Sequence, residues 1–346
     1  MSMEQNDVLF RREGAVGRIT LNRPKALNAL TEAMCTAMLG QLRLWASDSN
    51  VRAVVIDAIP GKAFCAGGDV RAIHDAGKKG DGSVMNFFRT EYGMNAKIHR
   101  FPKPYIALID GFAFGGGCGV SMHGSHRIAS ENAVFAMPET VIGLFPDIGA
   151  TFFLNRLPGQ IGMYLALTGL RIGRADAIAC GLATHHVASQ GLAELFPRLV
   201  EGEPPDAILA QLNAAPSGPA EMMEHREVID RAFAASSVED ILGRLETEGA
   251  WGRETVALLK TRSPTSLKVT FRQMREGVVL DFESCQRMEY RIMARMMEGP
   301  DFYEGVRAAL IDKDQKPRWV PGRLDKVTDG DIDRFFAPLD GREFTL

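Results

Sequence analysis

Hydrophobic positions in the N-terminal part of the chain follow two periods in turn. "VGRITLN" (16–22) alternates apolar and polar side chains, as a strand with one buried face does. "TEAMCTAMLGQLRLWASD" (31–48) repeats Met34, Met38, Leu42 and Trp45 at helical spacing, with Thr31 placed to cap the start. "VRAVVIDA" (51–58) is a β-branched run suited to a sheet covered on both faces, and "PYIALIDG" (104–111) is a second. Strand, helix and strand in this order require crossover connections and hence parallel pairing. Beyond about residue 215 the pattern turns helical, after a boundary loop at "NAAPSGPAEM" (213–222). "SVEDILGRLETEG" (237–249) carries Ser237 and Asp240 in a loose capping-box arrangement and Gly249 as a stop. "PTSLKVTFRQMREG" (264–277) and "CQRMEYRIMARMMEG" (285–299) are further helices. Met288, Met293, Met296 and Met297 are expected in a core or an oligomer contact. The division this predicts is a strand-and-helix part over 1–214 and a helical part over 215–346.

Composition adds bounds. The chain has 346 residues, 46% hydrophobic and 24% charged, enough for a substantial core and for two domains. A formal net charge of −3 gives no reason to expect nucleic acid or a membrane surface as the main partner. The most apolar segment, "YIALIDGFAFGGGCGV" (105–120), is broken by Asp110 and crowded with glycine, which makes a poor membrane span. "MSMEQNDVLFRREG" at the N-terminus has no apolar leader core. The 5 cysteines, Cys35, Cys65, Cys118, Cys180 and Cys285, have no C-x-x-C spacing and are expected as reduced, buried thiols of a cytoplasmic protein.

Two glycine-rich loops carry the first candidate chemistry. "GKAFCAGGDV" (61–70) follows one predicted strand, with Asp69 placed to cap a helix, and "GFAFGGGCGV" (111–120) follows another. Small residues there let backbone approach a ligand, and helix N-termini offer unpaired N–H groups. Neither is a phosphate loop. Gly61-Lys62 leads to Ala63 and Gly77-Lys78 to Lys79, so the required Ser or Thr is missing, and G-x-G-x-x-G fails around 115–120. Two such loops can instead hold one oxygen between their amides, an oxyanion hole in which a single donor is worth about 3–4 kcal/mol of transition-state stabilisation. Tight turns alone produce similar loops.

"MPETVIGLFPDIGAT" (137–151) sets Glu139 and Asp147 each behind a proline, among Val141, Ile142, Leu144 and Phe145. Apolar surroundings disfavour the charged carboxylate, and catalytic glutamates are tuned toward about 6–7 in this way. A capping role for Glu139 and a turn role for Asp147 are the plain alternatives. His123 and His126 suggest a Ser–His device, but G-x-S-x-G is absent, so packed or hydrogen-bonded histidines are expected. His185-His186 lacks nearby carboxylates and no H-E-x-x-H occurs, so no metal is expected. "DGDID" (329–333) has the alternating acids of a calcium loop, but Arg334 stands where glycine belongs, and a capped helix accounts for it better.

"LNRPKALNAL" (21–30), "GKAFCAGGDV", the run from "DGFAFGGGCGV" to "LNRLPG" (110–159) and "DFYEGVRAALIDKD" (301–314) resemble the enoyl-CoA hydratase/isomerase superfamily, the crotonases, over nearly the whole chain. The resemblance implies an α/β fold: a crotonase (ClpP-like) spiral of ββα repeats over 1–214. A helical region over 215–346 would pack on that core or on a neighbouring subunit of a homo-oligomer. It implies an acyl-CoA thioester as substrate, with CoA part of the substrate and no separate cofactor. The thioester oxygen would sit on the amides of Ala66 and Gly116, with Lys25 and Ala26 near the CoA nucleotide. Hydratases of the superfamily carry one glutamate three residues after the oxyanion glycine and another in a P-E pair. Glu139 matches the second, but Gly119 occupies the first position and cannot move a proton.

Pro146-Asp147 stands where many hydratases have P-G. With "FAMPET", "SMHGSHRIA", "FFRTEY" (87–92) and "EGVRAALIDKDQKPRW" (304–319), the chain is similar to the 3-hydroxyisobutyryl-CoA hydrolase branch. That branch implies thioester hydrolysis in valine breakdown, with Glu139 as nucleophile or general base and Asp147 assisting. Asp147 would hold the substrate hydroxyl, position water or share a proton, and Glu91 would contact substrate. The alternatives are a hydratase or isomerase running on Glu139 alone, or a non-catalytic CoA- or RNA-binding homologue. Near-neutral charge and the lack of a basic aromatic patch argue against RNA.

Overall fold

The β-branched run 51–58 lies inside a larger, mostly parallel sheet. The structure, a computed structural model, describes residues 6–345, so the first five residues of the N-terminal stretch "MSMEQNDVLFRREG" lie outside the described residues. The strands are β1 Val8–Glu13, β2 Val16–Leu21, β3 Ala53–Ala58, β4 Ala63–Cys65, β5 Tyr105–Ile109, β6 Phe112–Phe114, β7 His126–Ala129, β8 Val134–Ala136, β9 Ile172–Gly173 and β10 His185–His186. A six-stranded sheet has the order β1-β2-β3-β5-β7-β10, and a four-stranded sheet the order β4-β6-β8-β9. β1 and β2 form an antiparallel hairpin with Val8 opposite Leu21. From β2 onward the larger sheet is parallel, as the crossovers required. The pairs β3–β4, β5–β6 and β7–β8 each place one strand in the larger sheet and the next in the smaller, and a helix follows each pair. This strand–strand–helix repeat puts both glycine-rich loops just after smaller-sheet strands.

The larger sheet buries Val16, Val55, Ile106, Leu108 and Ile128 against Leu192, Leu195 and Leu199 of helix Ser189–Val200 and Ile208 and Leu209 of helix Pro205–Leu212. Each such side chain contributes about 1.5–3 kcal/mol through burial. Helix Glu32–Ser47 begins where the pattern predicted. The Thr31 hydroxyl accepts the Met34 N–H at 3.2 Å, and Met34, Met38, Leu42 and Trp45 are buried.

The chain groups into two compact units: residues 1–69, 90–135 and 171–221 in one, and 70–89, 136–170 and 222–346 in the other. This differs from a single cut at 214/215. Segment 136–170 joins the helical unit because helix Ile161–Thr168 is buried at every position, and a helix apolar on all sides must be surrounded. Its Tyr164 ring lies 5.3 Å from Phe233 and 5.8 Å from Trp251.

In the helical unit Ser237 caps helix Val238–Glu246 by accepting the Asp240 N–H at 3.0 Å. Gly249 does not stop that helix, which ends at Glu246 with Thr247 as its C-cap; Gly249, with φ +73°, opens the next, Gly249–Leu259. Met288, Met293, Met296 and Met297 are buried within the chain. "DGDID" begins helix Asp329–Phe336, where Thr328 and Asp331 form a reciprocal capping box. Among the described residues no helix is long and apolar enough to cross a membrane.

Candidate active site

The loop after β4 is stitched to Leu30. Leu30 N–H donates to Gly67 O and Asp69 N–H donates to Leu30 O, both at 2.8 Å, so the Gly68 amide between them points to the opposite side. On that side is Gly116, the first residue of the short helix Gly116–Gly119. Gly68 N lies 3.2 Å from where a Cβ on Gly116 would stand. The opening N–H groups of a helix have no acceptor within it, so the two loops that the sequence singled out bring the Gly68 amide beside a glycine whose own N–H opens a helix. Ala66 cannot serve as expected, because its N–H already donates to Leu27 O at 3.0 Å. That leaves Gly68 rather than Ala66 as the candidate amide of this loop, beside the candidate Gly116.

Glu91, buried on helix Val84–His99, faces the same glycine. Its Oε1 is 2.6 Å from the Cβ position of Gly116. A residue larger than glycine at 116 would drive a methyl into that carboxylate. The thiols nearby are poor nucleophiles. Burial pushes Cys65 up to about 12, and burial followed by the Glu91 charge holds Cys35 well above its ordinary value.

Lys25 and Ala26 lie in the one-turn helix Pro24–Ala26, with Lys25 exposed. The turn is tied to the loop below it by Asn28, whose amide nitrogen donates to Ala63 O at 3.0 Å while its carbonyl oxygen accepts the Arg23 N–H at 2.8 Å. Leu27 and Asn28 both take left-handed backbone, with φ of 52° and 56°. Asp69 pairs with Arg23 at 2.9 Å.

Both candidate acids belong to the helical unit and both are buried, Glu139 at 8% exposure and Asp147 at 6%. Glu139 opens the 3-10 turn Glu139–Ile142, which Pro138 starts and left-handed Gly143 ends. That turn rests on helix Asp301–Val306. A Cβ on Gly305 would stand 2.4 Å from the Ile142 carbonyl, and one on Gly143 would stand 2.3 Å from Asp301 O. The "DFYEG" segment is thus the platform of the Glu139 turn. Asp301 is itself fixed by the Ser263 hydroxyl at 2.5 Å and the Val320 N–H at 2.8 Å. Asp147 is followed by two left-handed residues, Ile148 (φ +56°) and Gly149 (φ +84°), before helix Ala150–Leu154. Glu289, fully buried, accepts the Gly149 and Thr151 N–H groups at 2.7 and 2.9 Å and the Thr151 hydroxyl at 2.6 Å.

A family model described as enoyl-CoA hydratase/isomerase matches residues 16–336. The chain belongs to that family. It is 46% identical over 355 residues to a Xenopus tropicalis protein named 3-hydroxyisobutyryl-CoA hydrolase, mitochondrial, covering 100% of this chain and 92% of the relative. Among solved structures, a carnitinyl-CoA dehydratase from Mycobacterium thermoresistibile superposes with TM-score 0.93 at 40% identity, covering 99% of each chain. An enoyl-CoA hydratase from Rhodobacter sphaeroides 2.4.1 superposes with TM-score 0.92 at 41% identity, covering 99% of this chain and 100% of the other. The crotonase fold expected from the sequence is the fold of this enoyl-CoA hydratase/isomerase family member.

The comparisons correct one expectation. The cytoplasmic location fails, because the Xenopus relative is named mitochondrial. The cysteines Cys35, Cys65, Cys118, Cys180 and Cys285 are free and buried, which does not distinguish one compartment from another. The histidines of "SMHGSHR" are packed and bonded. His126 bridges the Ser125 hydroxyl at 2.8 Å and Asp206 at 3.0 Å, and His123 lies against the His99 ring.

Sequence reasoning missed Gly68, Asn28, Gln273 and Glu289. Only Glu289 left a signal: a carboxylate on the apolar stripe of Cys285, Met288, Ile292 and Met296 is out of pattern for a core-facing helix.

Proposed function

We propose that this enoyl-CoA hydratase/isomerase family member is a CoA-thioester hydrolase that converts 3-hydroxyisobutyryl-CoA to 3-hydroxyisobutyrate and CoA. The observation that carries the reading is identity of 46% across the whole chain to a relative bearing that name. In this reading the amides of Gly68 and Gly116 hold the thioester oxygen as it becomes an oxyanion, each donor contributing about 10²–10³ in rate. Glu139 provides the nucleophilic step, either by attacking the carbonyl carbon itself or by deprotonating a water that does. The C–S bond then breaks, the thiolate leaves and takes up a proton, and after direct attack a water cleaves the acyl–Glu139 anhydride to restore the carboxylate. Asp147 positions the substrate hydroxyl or the water, Glu91 contacts the acyl group beside Gly116, and the Lys25–Ala26 turn meets the CoA nucleotide.

A second reading rests on the two solved structures described as a dehydratase and a hydratase. Water addition across a double bond uses two proton-moving groups, and Gly119, buried in the Gly116–Gly119 helix, has no side chain to offer as one. The test is a panel of acyl-CoAs assayed for free-thiol release beside loss of enoyl absorbance from crotonyl-CoA. Thiol release greatest with 3-hydroxyisobutyryl-CoA is expected. Hydration of crotonyl-CoA without thiol release would reverse the order. Glu139→Gln and Asp147→Asn should each lower thiol release, and full activity in both would remove the assignment. In a single turnover in ¹⁸O-water, label entering Glu139 marks direct attack.

A further inference from the structure

The turn that carries Asp147 is held in a conformation its own sequence resists. Ile148 is β-branched yet sits at φ +56°, in the left-handed region where such a side chain crowds its own backbone. Strain of this kind persists only where surrounding groups over-determine it, and it collects at functional sites. Two buried side chains do so here. Gln273 donates from Nε2 to Pro146 O at 2.6 Å and to the Thr151 hydroxyl oxygen at 2.7 Å. Glu289 takes the Gly149 N–H on Oε2, and the Thr151 N–H and hydroxyl on Oε1. The backbone is thus gripped immediately before Asp147, at Pro146, and immediately after the strained residue, at Gly149 and Thr151. The threonine hydroxyl links the two grips, accepting from Gln273 and donating to Glu289.

The geometry points to Glu289 as a positioning residue that, with Gln273, fixes the strained Asp147 turn for thioester hydrolysis. The inference rests on the reading of Asp147 as part of the hydrolase site. A carboxylate fully removed from water is a costly way to cap the five-residue helix Ala150–Leu154, a task that a serine or threonine performs at a helix start. The two oxygens of Glu289 accept from three converging donors, where a single hydroxyl oxygen has only two lone pairs. Burial is the larger influence that disfavours charge on Glu289, and the Asp147 charge adds to it.

The test is a double-substitution cycle of Glu289→Gln with Asp147→Asn, measuring kcat and KM for thiol release from 3-hydroxyisobutyryl-CoA and the unfolding midpoint of each variant. Glu289→Gln turns one acceptor into a donor facing an N–H. It is expected to lower kcat by about 10- to 100-fold through misplacement of the turn, with KM changed much less. In the Asp147→Asn background the same substitution should have little further effect on kcat, because its consequence passes through Asp147. If the two losses multiply independently, Glu289 serves only the fold and the inference is overturned. If Asp147→Asn alone leaves kcat unchanged, it is the functional reading that fails. Should Glu289→Gln not fold, Thr151→Val, which removes the linking hydroxyl and keeps the N–H, runs the same cycle with the same outcomes.

Discussion

Oε1 of Glu91 stands 2.6 Å from the point at which a Cβ on Gly116 would be built. The helix bearing Glu91 and the loop bearing Gly116 therefore touch at a place where only hydrogen fits. Gly116→Ala forces either the carboxylate or the amide to move, and an oxyanion donor displaced by even an ångström loses most of its effect. The variant should fall by about 10²-fold or more in kcat. Its unfolding free energy should drop by about 1–3 kcal/mol, the cost of overpacking. Steady-state thiol release and urea unfolding measure the two, and a variant with ordinary turnover would show that the Gly116 amide is not used.

Ala66 and Gly68 differ in where their amides go, and backbone ester substitution separates them. Replacing the N–H of residue 68 by oxygen, with glycolic acid in place of glycine, removes a donor whose nitrogen lies 3.2 Å from the Cβ position of Gly116. A kcat loss of about 10²–10³ is expected. The same change at residue 66, with lactic acid in place of alanine, breaks only the bond to Leu27 O. That should cost about 0.5–1.5 kcal/mol of stability while leaving kcat within a few-fold. The opposite pattern would return the role to Ala66.

Asn28 joins the Lys25 turn to the oxyanion loop through Ala63 O and the Arg23 N–H. Asn28→Ala leaves a buried carbonyl and a backbone N–H without these partners and places alanine at φ +56°, a conformation asparagine tolerates better. Destabilisation of about 1–3 kcal/mol is expected. If the turn meets the CoA nucleotide, KM for the full CoA ester should rise while KM for a truncated pantetheine ester stays the same. Equal KM changes for both esters would remove Lys25 and Ala26 from the CoA site.

The strands 16–21, 53–58 and 105–109 and the helix 32–47 were legible because burial on one or both faces writes itself into the sequence as a period or an apolar run. The short strands Ala63–Cys65 and Phe112–Phe114 were hidden inside glycine loops, where three residues carry no period. The two loops and the two acids were legible as residue types. What decides their use was not. Ala66 and Gly68 are neighbours in one glycine-rich string, and only the parallel bridge to Leu30 reveals which amide is free to face Gly116. Glu289 is separated from Asp147 by more than a hundred positions, so no local pattern could connect them. The unit boundary escaped for a similar reason: residues 136–170 look like a continuation of the α/β part until helix Ile161–Thr168 is seen with every face covered.

Burial raises Glu289 from its ordinary 4.5 to about 8, although the Thr151 hydroxyl and the Gly149 and Thr151 amides pull the other way. The folded chain therefore holds a proton on this group that the unfolded chain has already released once the pH exceeds about 4.5. Between that point and about pH 8 the native state binds more protons than the unfolded state, so this group's contribution to stability is full below pH 4.5 and declines as pH rises. Glu289→Gln cannot titrate. The stability advantage of wild type over this variant should therefore shrink from pH 5 to pH 9, by on the order of a few kcal/mol. Urea unfolding of both proteins at one-unit pH intervals measures the difference directly and cancels the titration of the other carboxylates. A difference that stays flat or grows with pH would mean that the three donors outweigh burial and hold Glu289 ionised across the range.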